Sequence, residues 1–171
     1  VNCITGPEDV DGLQMRAAGK AFEQMLAAAG ASITSMASSE IYSAMQTGVL
    51  DAANTSSSSF VSYRIYEQVD CFTPAGDVAL WFMYQPLLMN RTTFENLDEA
   101  QQQAVLDGAA KAEAYYLEQA KAADARATEV FRDNGVEIAE MTEADFEAWR
   151  EIAAKSSYQA FIEEAPNGQE L

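Results

Sequence analysis

Apolar residues follow two regimes along this chain. In the first third, short apolar runs alternate with segments whose apolar positions recur at helical spacing. Val1–Thr5 and Leu13–Ala17 read as strands, parted by a turn that holds Pro7, Asp11 and Gly12. In Ala21–Ala29, the residues Ala21, Met25 and Ala28, with Phe22, Leu26 and Ala29, are spaced to share one helical face, and Gly30 follows as a stop. Ala31–Met36 reads as a strand. Ser38 and Ser39 are candidate caps for a helix over Glu40–Thr47, ended by Gly48. Val49–Ala53 is a further strand and Phe60–Gln68 a helix. Such alternation predicts βαβ crossovers and a mainly parallel or mixed sheet.

Asp70–Asn90 breaks the rhythm. It holds Cys71, Phe72, Trp81, Phe82 and Tyr84, with turn residues at Pro74, Gly76 and Pro86, and predicts two or three strands joined by loops. Beyond it the pattern is helical. Asp98 with Gln101 three residues on resembles a capping box, and the helix it opens runs to Arg132, just before Asn134-Gly135. Unbroken, that helix is roughly 50 Å long at 1.5 Å per residue, more than one compact lobe needs. Gly108 is a place for it to bend. Its Ala-rich positions lack the sustained heptad of a coiled coil. Val136–Met141 reads as a strand, and Thr142 with Asp145 caps a last helix to about Glu164.

Charge and composition narrow the chemistry. The 171 residues carry 27 Asp+Glu against 10 Lys+Arg, a net charge of −17. Nucleic acid is excluded as a partner, because phosphate binding relies on clustered Lys/Arg. Apolar runs such as Val78–Tyr84 fall far short of the ~20 residues that span a bilayer. There is no His, which removes the usual general base and the commonest metal ligand. Cys3 and Cys71 are too far apart for a zinc-site spacing. Glu113/Glu118 and Asp124/Glu129 are spaced as a solvated helix face rather than as a catalytic pair. A binding protein is therefore expected, with no enzyme activity, no cofactor and no metal.

Four groups of residues are candidates for function. Arg16 lies in an apolar strand of a very acidic chain; its guanidinium either clamps a carboxylate or makes an internal salt bridge. Asn54, Thr55 and the serines after them follow a strand, where open α/β sheets bind ligands, and they equally suit helix capping. Trp81, Phe82 and Tyr84 either line a pocket or fill the core, alternation sending Trp81 and Phe82 opposite ways. Cys3 and Cys71 form a disulfide in an oxidising compartment or stay as buried thiols.

Read together, three stretches carry a family likeness. They are Gly6-Pro7-Glu8-Asp9-Val10-Asp11-Gly12-Leu13-Gln14-Met15-Arg16, Leu26-Ala27-Ala28-Ala29-Gly30-Ala31, and Ser39-Glu40-Ile41-Tyr42-Ser43-Ala44-Met45-Gln46-Thr47-Gly48-Val49-Leu50-Asp51-Ala52. Leu88-Met89-Asn90 to Leu97 and the long helix follow in the same order. The chain resembles the solute-binding proteins of TRAP (tripartite ATP-independent periplasmic) transporters, of the dicarboxylate-binding DctP type.

That resemblance implies an α/β, periplasmic-binding-protein-like lobe with a βα sheet, followed by a long lobe-spanning helix and C-terminal helices. Residues 1–90 would form the ligand-binding lobe with strands crossing between lobes. Residues 91–171 would complete two lobes, the N-terminal one being largely absent, so that a second chain covers the exposed apolar face. In the family the arginine at the place of Arg16 pairs with the substrate carboxylate. Thr55 falls near a polar pocket position, with Asn54 beside it. Ser38 stands where some relatives have an aromatic residue, and Trp81 shapes the far side of the pocket. Cys3 and Cys71 would lie on adjacent crossing strands and form a disulfide. The implied function is periplasmic capture of an organic acid and its delivery to TRAP membrane subunits; the alternative is a sensor module of the same fold that docks on a signalling receptor.

Overall fold

The computed structural model describes residues 2–82 and 86–170. Strand β1 (Gln14–Arg16) is followed by α1 (Lys20–Ala28), whose buried Met25 and Leu26 lie on the face predicted from their spacing. Gly30 closes that helix with φ +101°, and its carbonyl accepts from the Gly12 amide at 3.0 Å. Strand β2 (Ser32–Ile33), α2 (Ile41–Gln46) and β3 (Ala52–Ala53) complete a three-stranded parallel sheet ordered β2-β1-β3. Met15 is in register with both Ile33 and Ala52, and Arg16 with Ala53. With β1 central, the segments after all three strands gather at one edge of the sheet.

Helix α3 (Ser57–Ser62) starts at Ser56, whose hydroxyl accepts from the Ser59 amide. Strand β4 (Cys71–Phe72) then pairs in parallel with β5 (Glu137–Ile138), a second sheet of two strands. Between them come α4 (Arg91–Glu95) and the 35-residue α5 (Glu99–Asp133), opened by the Asp98–Gln101 capping box and continuous through Gly108. At 1.5 Å per residue α5 is roughly 52 Å long. Helices α6 (Glu143–Lys155) and α7 (Ser157–Glu164) end the fold.

Two apolar clusters hold these elements. One joins β1 and α1 to α6 through Met15, Met25, Leu26, Trp149 and Ala153. The other joins α2 and β4 to the end of α5 through Ile41, Ile65, Phe72, Ala127 and Phe131. The Phe72 and Phe131 rings stack with centroids 4.2 Å apart, and Phe60 meets both edge-on. Only Ala127 and Phe131 of α5 are buried, so its first two-thirds carry exposed Leu106, Tyr115 and Leu117. Cys3 and Cys71 are joined in a disulfide that ties the N-terminal segment to β4.

Several elements differ from the sequence pattern for identifiable reasons. Residues 2–5 form no strand. The Thr5 and Gly6 amides go to the Asp9 carboxylate, the Ile4 carbonyl to the Thr73 hydroxyl, and the Thr5 carbonyl to Trp149 Nε1 at 2.8 Å. The backbone groups taken in this way by side chains are not free for a ladder. Neither Ser38 nor Ser39 caps α2; a short 3-10 turn, Ser38–Glu40, precedes it, and Glu40 reaches back to the Ala37 amide. The expected helix over 60–68 starts earlier and breaks at Arg64, which is left-handed (φ 56°), before a 3-10 turn at Ile65–Glu67. Within 70–90, Cys71–Phe72 is the one strand among the described residues; Met83, Tyr84 and Gln85 lie outside them. The last helix is two, parted at Ser156 (φ −126°, ψ −89°), whose hydroxyl bonds back to the Ile152 carbonyl.

Candidate functional site

Arg16 ends the central strand, so its side chain projects at the edge where the loops after β2 and β3 meet. The residue is only 9% exposed. Nε donates to the Met36 carbonyl at 3.1 Å and Nη1 to the Asn54 carbonyl at 2.7 Å. These bonds fix the plane of the guanidinium between two loops and engage two of its five N–H groups. The internal salt bridge open from the sequence does not form: among the described residues no carboxylate oxygen lies within 4.0 Å of Arg16. Glu23 on α1 acts on it through space and is itself held by Ser35 at 2.7 Å. Burial pushes the Arg16 pKa down, and Glu23 offsets part of that shift. A guanidinium held by two neutral carbonyls keeps N–H donors that these bonds do not engage, in the fork geometry that matches a planar anion.

Asn54 follows β3. Its amide donates to the Arg16 carbonyl at 2.8 Å, so one residue is gripped by both the backbone and the side chain of Arg16. Its Oδ1 is buried and has no hydrogen-bond partner among the described residues. Thr55 is buried beside it. Asn54, Thr55 and Trp81 all line a cleft of about 1410 Å³ that runs from the loop after β3 along the open face of α5. Arg16 and Ser38 are not in its wall; Asn54 links the guanidinium to the cleft. Ser38 sits two residues beyond Met36, half-buried at the same edge of the sheet. Trp81 is half-buried and also lines a smaller cavity of about 360 Å³, against α1 and α6, while neighbouring Phe82 is 82% exposed.

Two participants were not foreseen. The Met36 carbonyl leaves no side-chain signal in the sequence. Asp124, expected on a solvated face, is partly buried on the cleft wall and accepts from the Ser57 hydroxyl at 2.5 Å, fastening α3 to α5. No group of His, Cys, Asp and Glu that could hold a metal ion occurs among the described residues. No described helix is long and apolar enough to cross a membrane.

Comparison with known proteins places this geometry in context. The model of bacterial extracellular solute-binding protein, family 7 (DctP) matches residues 2–164. A solute-binding protein of Albidiferax ferrireducens is 34% identical over 158 residues, 92% of this chain and 47% of that protein. A TRAP periplasmic solute-binding protein from Rhodoferax ferrireducens, solved with bound malonate, superposes with a TM-score of 0.91 at 32% identity, covering 98% of this chain and 53% of that one. A second, from a Sulfitobacter species, shares the fold with a TM-score of 0.80 at 24% identity over 99% of this chain and 55% of its own. The chain spans about half the length of these relatives.

Proposed function

The chain belongs to family 7 of the bacterial extracellular solute-binding proteins, and on that premise we propose that it captures an organic acid in the periplasm for a TRAP transporter, with Arg16 as the carboxylate clamp. The observation that carries this reading is a buried guanidinium, oriented by two main-chain carbonyls and unpaired with any described carboxylate. Burial disfavours its charge, and an incoming carboxylate restores the lost solvation through two parallel N–H···O bonds. The malonate held by the relative that is 32% identical supports an acid as the ligand. Asn54 and Thr55 hydrogen-bond the rest of the molecule and Trp81 packs against it. Ser38 sits across the same sheet edge. Nothing in this capture makes or breaks a covalent bond, in keeping with a family of binding proteins rather than enzymes.

The division of labour follows from the same reading. Residues 1–90 carry the ligand-binding sheet, and 91–171 supply a helix that spans two lobes. The exposed apolar side chains of α5, with Leu87 and Leu88, form the face on which the other lobe or a second chain closes. Closure excludes water and strengthens the ion pair, and the closed form is what the membrane subunits receive.

A thermal-shift screen tests the proposal. The full-length polypeptide is heated with mono- and dicarboxylic acids, and with malonamide as an uncharged match to malonate. Ligand at 100 times its Kd adds about 2.7 kcal/mol. A rise in Tm with acids alone, absent in Arg16→Ala, is expected. A folded protein that no acid shifts contradicts the reading.

A further inference from the structure

The guanidinium of Arg16 is oriented by backbone carbonyls, so whatever holds the loop after β3 also holds the guanidinium. Asn54 supplies the carbonyl that accepts from Nη1 at 2.7 Å, and α3 begins three residues later, at Ser57. A helix of only six residues does not hold its own position; packing sets it. Two contacts tie α3 to α5. Phe60 meets Phe131 edge-on with ring centroids 5.8 Å apart. About one turn earlier, the Ser57 hydroxyl donates to Asp124 Oδ1 at 2.5 Å.

Asp124 has no charged partner to explain it. Among the described residues no Lys or Arg nitrogen lies within 4.0 Å of its carboxylate. It is half-buried on the cleft wall, where a negative charge works against an incoming acid. Its bond to Ser57 gives it a task that needs no contact with the ligand. That bond pins the first turn of α3, and with it the short link from Asn54 to Ser56.

We infer that Asp124 is a positioning residue for acid binding, holding the Asn54 carbonyl, by way of Ser57, where it orients Arg16. This rests on the carboxylate clamp proposed above. The clamp then takes its geometry from α5 as well as from the sheet. The bond matters here and the charge does not: a serine hydroxyl donates to an amide oxygen as it does to a carboxylate.

Malonate is titrated calorimetrically into the full-length polypeptide and into Ser57→Ala, Asp124→Ala, Asp124→Asn and the double alanine variant. Thermal melts establish that each is folded at the temperature of titration, so that a loss of affinity is separated from a loss of fold. Each single alanine variant is expected to bind malonate about fivefold more weakly, the scale of one hydrogen bond. The double variant should lose no more than either single one, because both remove the same bond. Asp124→Asn should bind within about twofold of wild type, since its Oδ1 still accepts from Ser57. Unchanged affinity in folded Asp124→Ala overturns the positioning role and leaves the clamp standing. Tighter binding in both Asp124 variants overturns it too, because the carboxylate then acts only as a repelling charge. An asparagine variant as weak as the alanine one, or losses that add in the double variant, overturns the route through Ser57. Failure of folded wild type to bind malonate overturns clamp and inference together.

Discussion

Arg16 holds Asn54 from two sides: its carbonyl accepts from the Asn54 amide at 2.8 Å, and its Nη1 donates to the Asn54 carbonyl at 2.7 Å. The first bond belongs to the pairing of β1 with β3, the second to the side chain that ends β1. Strand register and guanidinium position are therefore one feature. A shift of β3 by one residue would move both the acceptor of Nη1 and the polar residues of the cleft.

Replacing Arg16 by Lys tests whether geometry or charge matters. Lysine keeps the charge and loses the fork that reaches the Met36 and Asn54 carbonyls together. Acid affinity is expected to fall roughly tenfold or more, in line with the ~1.5–3 kcal/mol of a hydrogen bond to a charged group. Calorimetry of the two proteins decides it. Unchanged affinity means that the fork is not used.

The same residue fixes the pH behaviour of binding. Burial lowers the Arg16 pKa, so the charged form is penalised at every pH below the folded value and relieved only as pH rises through it. Even lowered, a guanidinium stays protonated across the neutral range. Affinity for a fully ionised acid is therefore expected to be flat between about pH 6 and 9 as far as Arg16 sets it. An affinity that changes severalfold over that range would point to a different clamp.

Asp145 gives a pH dependence of stability instead. Its carboxylate accepts from the Thr142 hydroxyl at 2.7 Å and from the Thr142 amide at 2.9 Å, and these bonds lower its pKa, the hydroxyl most. The contribution is complete above the unfolded value of about 3.9 and is lost as pH falls through the lower folded value. Thr142→Ala is expected to lower Tm by about 2–4 °C at pH 7, as loss of a helix cap does, and by less in strong acid. Melting curves at pH 7 and below pH 3 show whether the gap closes.

The disulfide between Cys3 and Cys71 closes a loop with a sequence separation of 68. Chain entropy assigns such a loop about 4 kcal/mol or less, through the unfolded state. Cys3→Ser/Cys71→Ser is expected to be less stable by that order in chemical denaturation. Alkylation in denaturant should add no mass without reductant and two groups with it; two groups without reductant would refute the bond.

Gly30 turns the chain from α1 into β2 in a left-handed conformation. At φ +101° an added Cβ would run into the Asp11 carboxylate, so Gly30→Ala meets both backbone strain and a clash. A loss of about 1–3 kcal/mol is expected from denaturant unfolding. A stability equal to wild type would mean that Asp11 moves aside freely.

Much of this was legible in the chain because it is local. The spacing of Met25 and Leu26 gave the buried face of α1, and Asp98 with Gln101 gave the start of α5. Strand cores were found around Met15, Ile33 and Ala52, although the ladders are only two or three residues long. What local pattern could not supply is long-range competition for backbone groups. Residues 2–5 look like a strand until Asp9, Thr73 and Trp149 take their amides and carbonyls. Arg64 and Ser156 break helices through backbone conformations that their residue types do not announce. At the site, Arg16 and Asn54 stood out as residue types, whereas Met36 contributes only a carbonyl and Asp124 is defined by Ser57, 67 residues away.

The most direct test of the central claim is a titration of malonate into the full-length polypeptide and its Arg16→Gln variant by calorimetry. Gln keeps a polar amide near the Met36 and Asn54 carbonyls and removes the charge. Saturable binding by the wild type, with at least a hundredfold loss in a variant that melts as a folded protein, is expected. Equal binding by both would contradict the carboxylate clamp, whatever the ligand.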